Sequence, residues 1–365
     1  MATRTFRGTL DSNWGLLGNW LEGAVPTSAD DVIFDASSPA CTVNASARVC
    51  KTINFTGYTN TITMTFGITV SGSITLVSAM TIAGTGSLTI NATGTITSNT
   101  KVFPNDFIIN GNITVTLADN FTVTGSLTTG AVGAFVMAIN GNTLNVGGSL
   151  TLTNTGGTVS GTTIINLNGT GTWSNNTGIN FANSVTINTA GTITFSGVVR
   201  KGGGTVTYTA GTVVTTGSTF YITASTTLNL NGISLNNFTV DGNSTVTLTS
   251  DLTVLATFQY GSGPAYTIAI NGNSIYVGGN LTIATTGGGA LNGTTVFVLN
   301  GTGTWSHTGT TSLGHFVTIN TAGTITVTST GPTQLSKLLY TAGTVTTAAG
   351  TWTTGGGGSV GFFIQ

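Results

Sequence analysis

The chain has 365 residues and a formal net charge of −1, and only 5% of its residues are charged, against about 25% in ordinary soluble domains. This balance gives no general pull toward nucleic acid or anionic lipid, and no apolar run reaches the roughly 18 residues of a membrane span. A single Glu, 54 glycines and abundant Thr, Asn and Ser exclude amphipathic surface helices, while 39% hydrophobic residues in regular alternation exclude disorder.

In chain order, the opening MATRTFRGTLDSNWG lacks an apolar core before a cleavage site, so no secretory signal is read. Residues 1–36 read as a cap: positions 11–35 hold two Trp, Pro26 and five of the nine acidic residues. Such a segment covers the first coil of a repeat fold and blocks end-to-end strand pairing. Cys41 and Cys50 follow on strands flanking the turn NASAR; two readings stay open, a disulfide or a pair of buried small hydrophobes. Two cysteines are too few for a disulfide scaffold or a four-ligand zinc site.

From residue 37 onward apolar residues alternate with Thr or Ser, as in Ile68-Val70, Ile74-Leu76, Val115-Leu117, Phe121-Val123, Val246-Leu248 and Leu252-Val254. This is the strand signature. Asn-Gly and Thr-Ala-Gly turns interrupt it every 20 to 30 residues, from Asn110 through Asn140, Asn168, Asn188 and Tyr208. That interval is one coil of a solenoid. The expected fold is all-β: a single-stranded parallel β-helix of roughly 12 to 16 coils, right-handed by the usual crossover sense.

The chain also repeats itself. LNGTGTWS occupies 167–174 and 299–306, TINTAGTIT occupies 186–194 and 318–326, and AINGNTLNVGGSLTL at 138–152 matches AINGNSIYVGGNLTI at 269–283. The offset is about 131 residues. The expected organisation is a cap at 1–36, first coils at 37–100, one module at 101–232, a second at 233–353, and a Gly-rich linker with an apolar tail at 354–365. Duplication extends a solenoid without changing its cross-section, which suits a spacer or coat better than a pocket.

The segment NWLEGAVPTSADDVIFD at 19–35 resembles the Asn-Trp, Gly, Pro, Asp-x-Val-x-Phe opening of many β-helical proteins, both autotransporter-type adhesin passengers and bacteriophage virion proteins. CTVNASARVCKTINFTGYTNTITM at 41–64 looks most like the phage versions, and the resemblance covers about residues 13–70. It implies a non-enzymatic fibre, spike or capsid decoration protein on the virion surface. Such a protein would bind other virion proteins, form a homo-oligomer with a trimer favoured, and contact a host-surface glycan. The resemblance carries no catalytic residues. The alternatives are a bacterial cell-surface adhesin or surface-layer β-helix and, behind it, a polysaccharide-cleaving tailspike, which needs a carboxylate pair.

Candidate chemistry is sparse, and no catalytic, metal or cofactor site is assigned. Beyond the cap the acids are Asp106, Asp119, Asp241 and Asp251. Asp106 aligns with Asn237 and Asp241 with Asn110, while Asp119 and Asp251 fall within one position of each other; all read as turn residues. Asp30, Asp31 and Asp35 could ligate calcium, although capping-turn chemistry is the preferred reading. Trp173 and Trp305 hold equivalent places in the two modules. They are the candidate sugar-stacking residues, with burial against the next coil as the favoured alternative. Phe362, Phe363 and Ile364 are candidate assembly contacts. His307 and His315 stand where the first module has Asn175 and Asn183, with no nucleophile nearby. Arg200-Lys201 before a glycine run reads as an exposed loop.

Overall fold

The computed structural model describes residues 2–130, 134–153, 156–160, 164–175, 178–241, 244–260, 267–285, 290–292, 296–309, 313–328, 335–347 and 362–364. Among these the only helix is one short 3-10 turn, Leu17–Asn19, and every strand-to-strand ladder is parallel. The fold is a β-solenoid of about 13 turns. It comprises two compact units, Met1–Ile193 with Ala210–Thr212, and Thr194–Thr209 with Val213–Gln365.

In the first unit each coil contributes three short strands, one to each of three ladders. One ladder runs from Thr3–Thr5 and Asp31–Ile33 through Gly94–Thr97 and Thr114–Leu117 to Asn180–Phe181, nine strands in all. A second runs from Arg48–Cys50 through Leu88–Ile90 and Leu127–Thr129 to Gly171–Asn175. The third position holds Phe121–Val123, Leu144–Val146 and Ile164–Leu167, one upon another. Alternation makes the interior. Ile68, Leu88, Phe107, Leu127, Leu150 and Trp173 face one another rung by rung, and all are buried. A strand this short is not stable alone; each apolar face is covered only when its neighbours stack on it.

The second unit repeats the scheme with some longer strands. Thr226–Asn229, Thr245–Leu248, Thr267–Ala269 and Ala290–Asn292 form one ladder. Val198–Lys201, Thr219–Ile222, Ser234–Val240 and Leu252–Tyr260 lead another, which continues to Leu313–Val327, Leu335–Thr347 and Phe362–Ile364. The sequence repeat is visible strand by strand. Thr114–Leu117 has its counterpart in Thr245–Leu248, Leu144–Val146 in Ser274–Val277, and Ser184–Phe195 within Leu313–Val327. Even the rung contact recurs, with Leu150 facing Trp173 in one unit and Leu281 facing Trp305 in the other.

The N-terminal cap is built on aromatic contacts. Phe6 packs on Trp20 and Phe34, both at 5.3 Å between ring centres, and Trp14 packs on Trp20 at 5.0 Å. Phe34 then stacks on Phe55 at 4.9 Å, joining the cap to the first coils. Asn19 is fully buried. Its side-chain oxygen accepts the backbone N–H of Leu10 and Asp11, and its amide donates to the Asp11 carboxylate and the Asn13 carbonyl. Trp20 Nε1 donates to the Trp14 carbonyl at 2.8 Å. Asn19, Trp20 and Phe34 of the Asn-Trp segment are therefore accounted for by folding. Trp20→Ala should cost about 3–5 kcal/mol, read as a lower urea midpoint followed by circular dichroism; an unchanged midpoint would show that the cap does not stabilise the coils below it.

Candidate functional site

The recurring chemical device of the solenoid is a corner side chain that accepts a backbone N–H from an adjacent coil. Thr170 Oγ1 accepts from Thr192 N, and its counterpart Thr302 Oγ1 accepts from Thr324 N. Ser73 takes Thr95 N, Ser126 takes Ser149 N, and Ser149 takes Thr172 N. Corners lack the regular strand ladder, and a buried peptide N–H without an acceptor is costly. A short side chain with one well-placed oxygen is what each corner needs.

Three solenoid acids belong to this set. Asp106 accepts Ser126 N at 2.8 Å, while its counterpart Asn237 accepts Thr257 N at 3.2 Å. Asp119 accepts Ser98 N and Asn99 N at 2.7 and 2.6 Å; at the equivalent position Ser250 Oγ accepts Leu230 N and Asn231 N. Asp251 accepts Ser274 N at 2.8 Å, and Asn120 accepts Thr143 N at 2.7 Å. The alignment of Asp119 with Asp251 is thus off by one residue: each pairs with a neutral acceptor in the other module. A group replaceable by an amide or a hydroxyl acts here as an acceptor, and its charge is not required.

The candidate sugar-stacking residues lie inside. Trp173 and Trp305 are 0% and 1% exposed, because the inward phase of Gly171–Asn175 and Gly303–Gly309 sets each indole over a leucine of the preceding coil. Neither can stack on an external sugar. Cys41 and Cys50 are both free and buried. Burial pushes both thiols up, Cys50 to about 12, so neither is a reactive thiolate.

Asp30, Asp31 and Asp35 do not converge on one point. Asp30 accepts from Thr27 and Ala2, and these bonds, led by the Thr27 N–H, hold its carboxyl down at about 2. Asp31 accepts from the Thr52 hydroxyl. Burial raises Asp35, but paired bonds from the Arg7 guanidinium at 3.0 and 2.9 Å outweigh that and leave it lowered. Among the described residues no group of three His, Cys, Asp or Glu could hold a metal ion.

Arg200-Lys201 is not an exposed loop. Both lie in Val198–Lys201, where alternation turns Val199 and Lys201 inward, and Lys201 is fully buried. Burial lowers its ammonium to about 7. On the outer side Arg200 lies 4.9 Å from the centre of the Tyr221 ring, and the Tyr221 hydroxyl donates to the Asp241 carboxylate at 2.5 Å. Burial, then the Asp241 bond, lifts the phenol to about 12. This cation, aromatic ring and acid form a polar cluster: Arg200 and Tyr221 pair on adjacent rungs, and Asp241 lies two residues past Thr239, the next rung partner of Tyr221. Sequence reasoning missed it, although the 21-residue spacing of Arg200 and Tyr221, one coil in register, was a usable signal.

Phe362–Ile364 is a strand, paired in parallel on Leu338–Tyr340 of the same chain. The side chains of His307, His315, Phe362, Phe363 and Ile364 lie outside the described residues. No family model, curated protein or solved structure matches the chain.

Two outcomes follow from these placements. Asp106→Asn, Asp119→Ser and Asp251→Asn should each leave stability within about 0.5 kcal/mol of the parent, whereas Asp119→Ala, which strands two N–H groups, should cost about 1–3 kcal/mol. Thermal unfolding compares them, and a large loss in the neutral replacements would show that charge matters. Lys201 binds its proton more weakly folded than unfolded, so stability should rise with pH between about 7 and the ordinary lysine value near 10.4. Lys201→Met should flatten that slope; a parent already flat across the window would show that Lys201 stays charged in the core.

Proposed function

We propose that this protein is a non-enzymatic structural or adhesive component of a bacteriophage particle, a fibre, spike or capsid decoration. A β-solenoid is compatible with a structural or adhesive role. The observation that carries the non-enzymatic reading is the exchange between modules: three of the four solenoid acids have neutral counterparts making the same backbone bond. A hydrolytic carboxylate pair does not tolerate such replacement. The duplicated module supports a coat or spacer role, because added coils need only their neighbours.

The phage assignment rests on the cap segment at 19–35 and on the Cys-bearing strands after it. The cap also presents Leu10, Leu17 and Leu21 at 70%, 64% and 64% exposure, and apolar surface of that kind suits a contact with other virion proteins. In this reading the working form is a homotrimer displayed on the particle, where it meets a host-surface glycan.

Two measurements test the reading. Light scattering should return three times the chain mass of 36.7 kDa, and the assembly should survive heating in detergent; a stable monomer overturns the trimer. Antibodies to the purified chain should label gradient-purified particles from the source culture. Label confined to the surface of uninfected cells would overturn the virion assignment in favour of an adhesin.

A further inference from the structure

We propose that Asn140, Asn231 and Asn271 deamidate spontaneously in the folded protein, while Asn168 and Asn300, which share the same Asn-Gly sequence, are held unreactive by the fold. The chain has seven Asn-Gly pairs, at 110, 140, 168, 231, 271, 292 and 300. In an unfolded chain all are reactive, because glycine has no side chain to block its own nitrogen. The structure sorts them.

Three pairs occupy the tips of two-residue turns. Asn140, Asn231 and Asn271 have φ of 51°, 43° and 53°, and Gly141, Gly232 and Gly272 have φ of 82°, 88° and 83°. Each turn is closed by a bond from the residue after the glycine to the residue before the asparagine: Asn142 N to Ile139 O, Ile233 N to Leu230 O and Asn273 N to Ile270 O, all at 3.0 Å. This is the left-handed pair of a type I′ turn. All three asparagines and their glycines are exposed. Nothing lies within 4 Å of where a Cβ would stand on Gly141, Gly232 or Gly272. The glycines of these tips stand in open space, so water reaches the reacting nitrogen, and the side-chain bonds that tie Asn231 and Asn271 to the preceding coil are long, at 3.4 and 3.3 Å; exposed tips of this kind open locally at low cost.

Asn168 and Asn300 sit instead at corners pressed onto the preceding coil. A Cβ on Gly169 would collide with the carbonyl of Gly147, and one on Gly301 with that of Gly278. The preceding asparagines donate their backbone N–H to Val146 O and Val277 O, each at 3.1 Å. Closing a ring on the glycine nitrogen there requires lifting the glycine off the carbonyl on which it is packed.

In the reaction the Gly nitrogen loses its proton to solvent base and bonds to the Asn Cγ. The Cγ–NH2 bond breaks, ammonia leaves, and a five-membered succinimide remains. Water then opens the ring to aspartate or isoaspartate, and the proton released is taken up by the departed ammonia, so amide plus water becomes carboxylate plus ammonium. Three such events would take the formal net charge from −1 to −4. At Asn231 and Asn271 they would also replace amides that donate to Tyr208 O and Leu248 O with carboxylates that face those carbonyls.

The test ages the full chain at mildly alkaline pH in 18O-enriched water and maps the peptides by mass spectrometry. The same chain in denaturant serves as the reference. The expected result is heavy-oxygen acid at 140, 231 and 271 in the folded protein, with 168 and 300 about tenfold slower or less, and comparable rates at all five once denatured. Equal rates for corners and turns in the folded state would overturn the proposal. So would turn asparagines that stay amide while the denatured chain reacts.

Discussion

The parallel rung-to-rung register is the constraint on which everything else depends. Each strand bonds to the one a coil later, so each residue is stacked on whatever the sequence places about twenty positions on, as Leu88 is on Phe107 and Leu127 on Leu150. Strands in such a ladder lie about 4.8 Å apart. A charge repeated at that spacing would face its own kind at a cost of about 1 kcal/mol in water and several times that near protein. The near absence of charge follows. Uncharged Thr, Ser and Asn tolerate stacking and bond to one another, as Asn166 does to Asn145 and Asn145 to Thr122.

Three of the four acids in the solenoid, Asp106, Asp119 and Asp251, bond peptide N–H groups. Corners are the positions where a coil leaves its ladders, and there the peptide groups need other partners. An aspartate, an asparagine and a serine are interchangeable under that demand, since each presents one oxygen at the right reach. The two modules exhibit this substitution freedom at three places. The conserved quantity between them is a hydrogen bond, and the side chain supplying it has drifted.

Most of the fold is legible in the sequence because the inward and outward phases are written as strict alternation. Phe121-Val123 or Val246-Leu248 can point only one way once a core exists. The repeat offset likewise gives the equivalence of Trp173 and Trp305. What is not legible is anything set by cross-coil geometry. Alternation within a strand says that Lys201 shares the phase of Val199, yet a lysine before three glycines reads as a loop until the strand is seen. The Phe-Phe-Ile tail carries no alternation, so its pairing on Leu338–Tyr340 has no local signature. The off-by-one match of Asp119 to Asp251 arises in the same way: the residue types agree, but the peptide groups each must reach differ by one position.

The Arg200, Tyr221 and Asp241 cluster shows how chemistry enters such a fold. None of the three is notable in its own segment, and no motif joins them. They meet because one coil is about twenty residues long: Arg200 and Tyr221 pair on adjacent rungs, and the long phenol reaches diagonally past its own rung partner Thr239 to Asp241, just beyond the next strand. Any functional group on a solenoid must be assembled in this manner, from residues spaced by the coil length. A search at that spacing is therefore the appropriate reading frame for sites in these chains, where a search for short contiguous motifs finds only the cap.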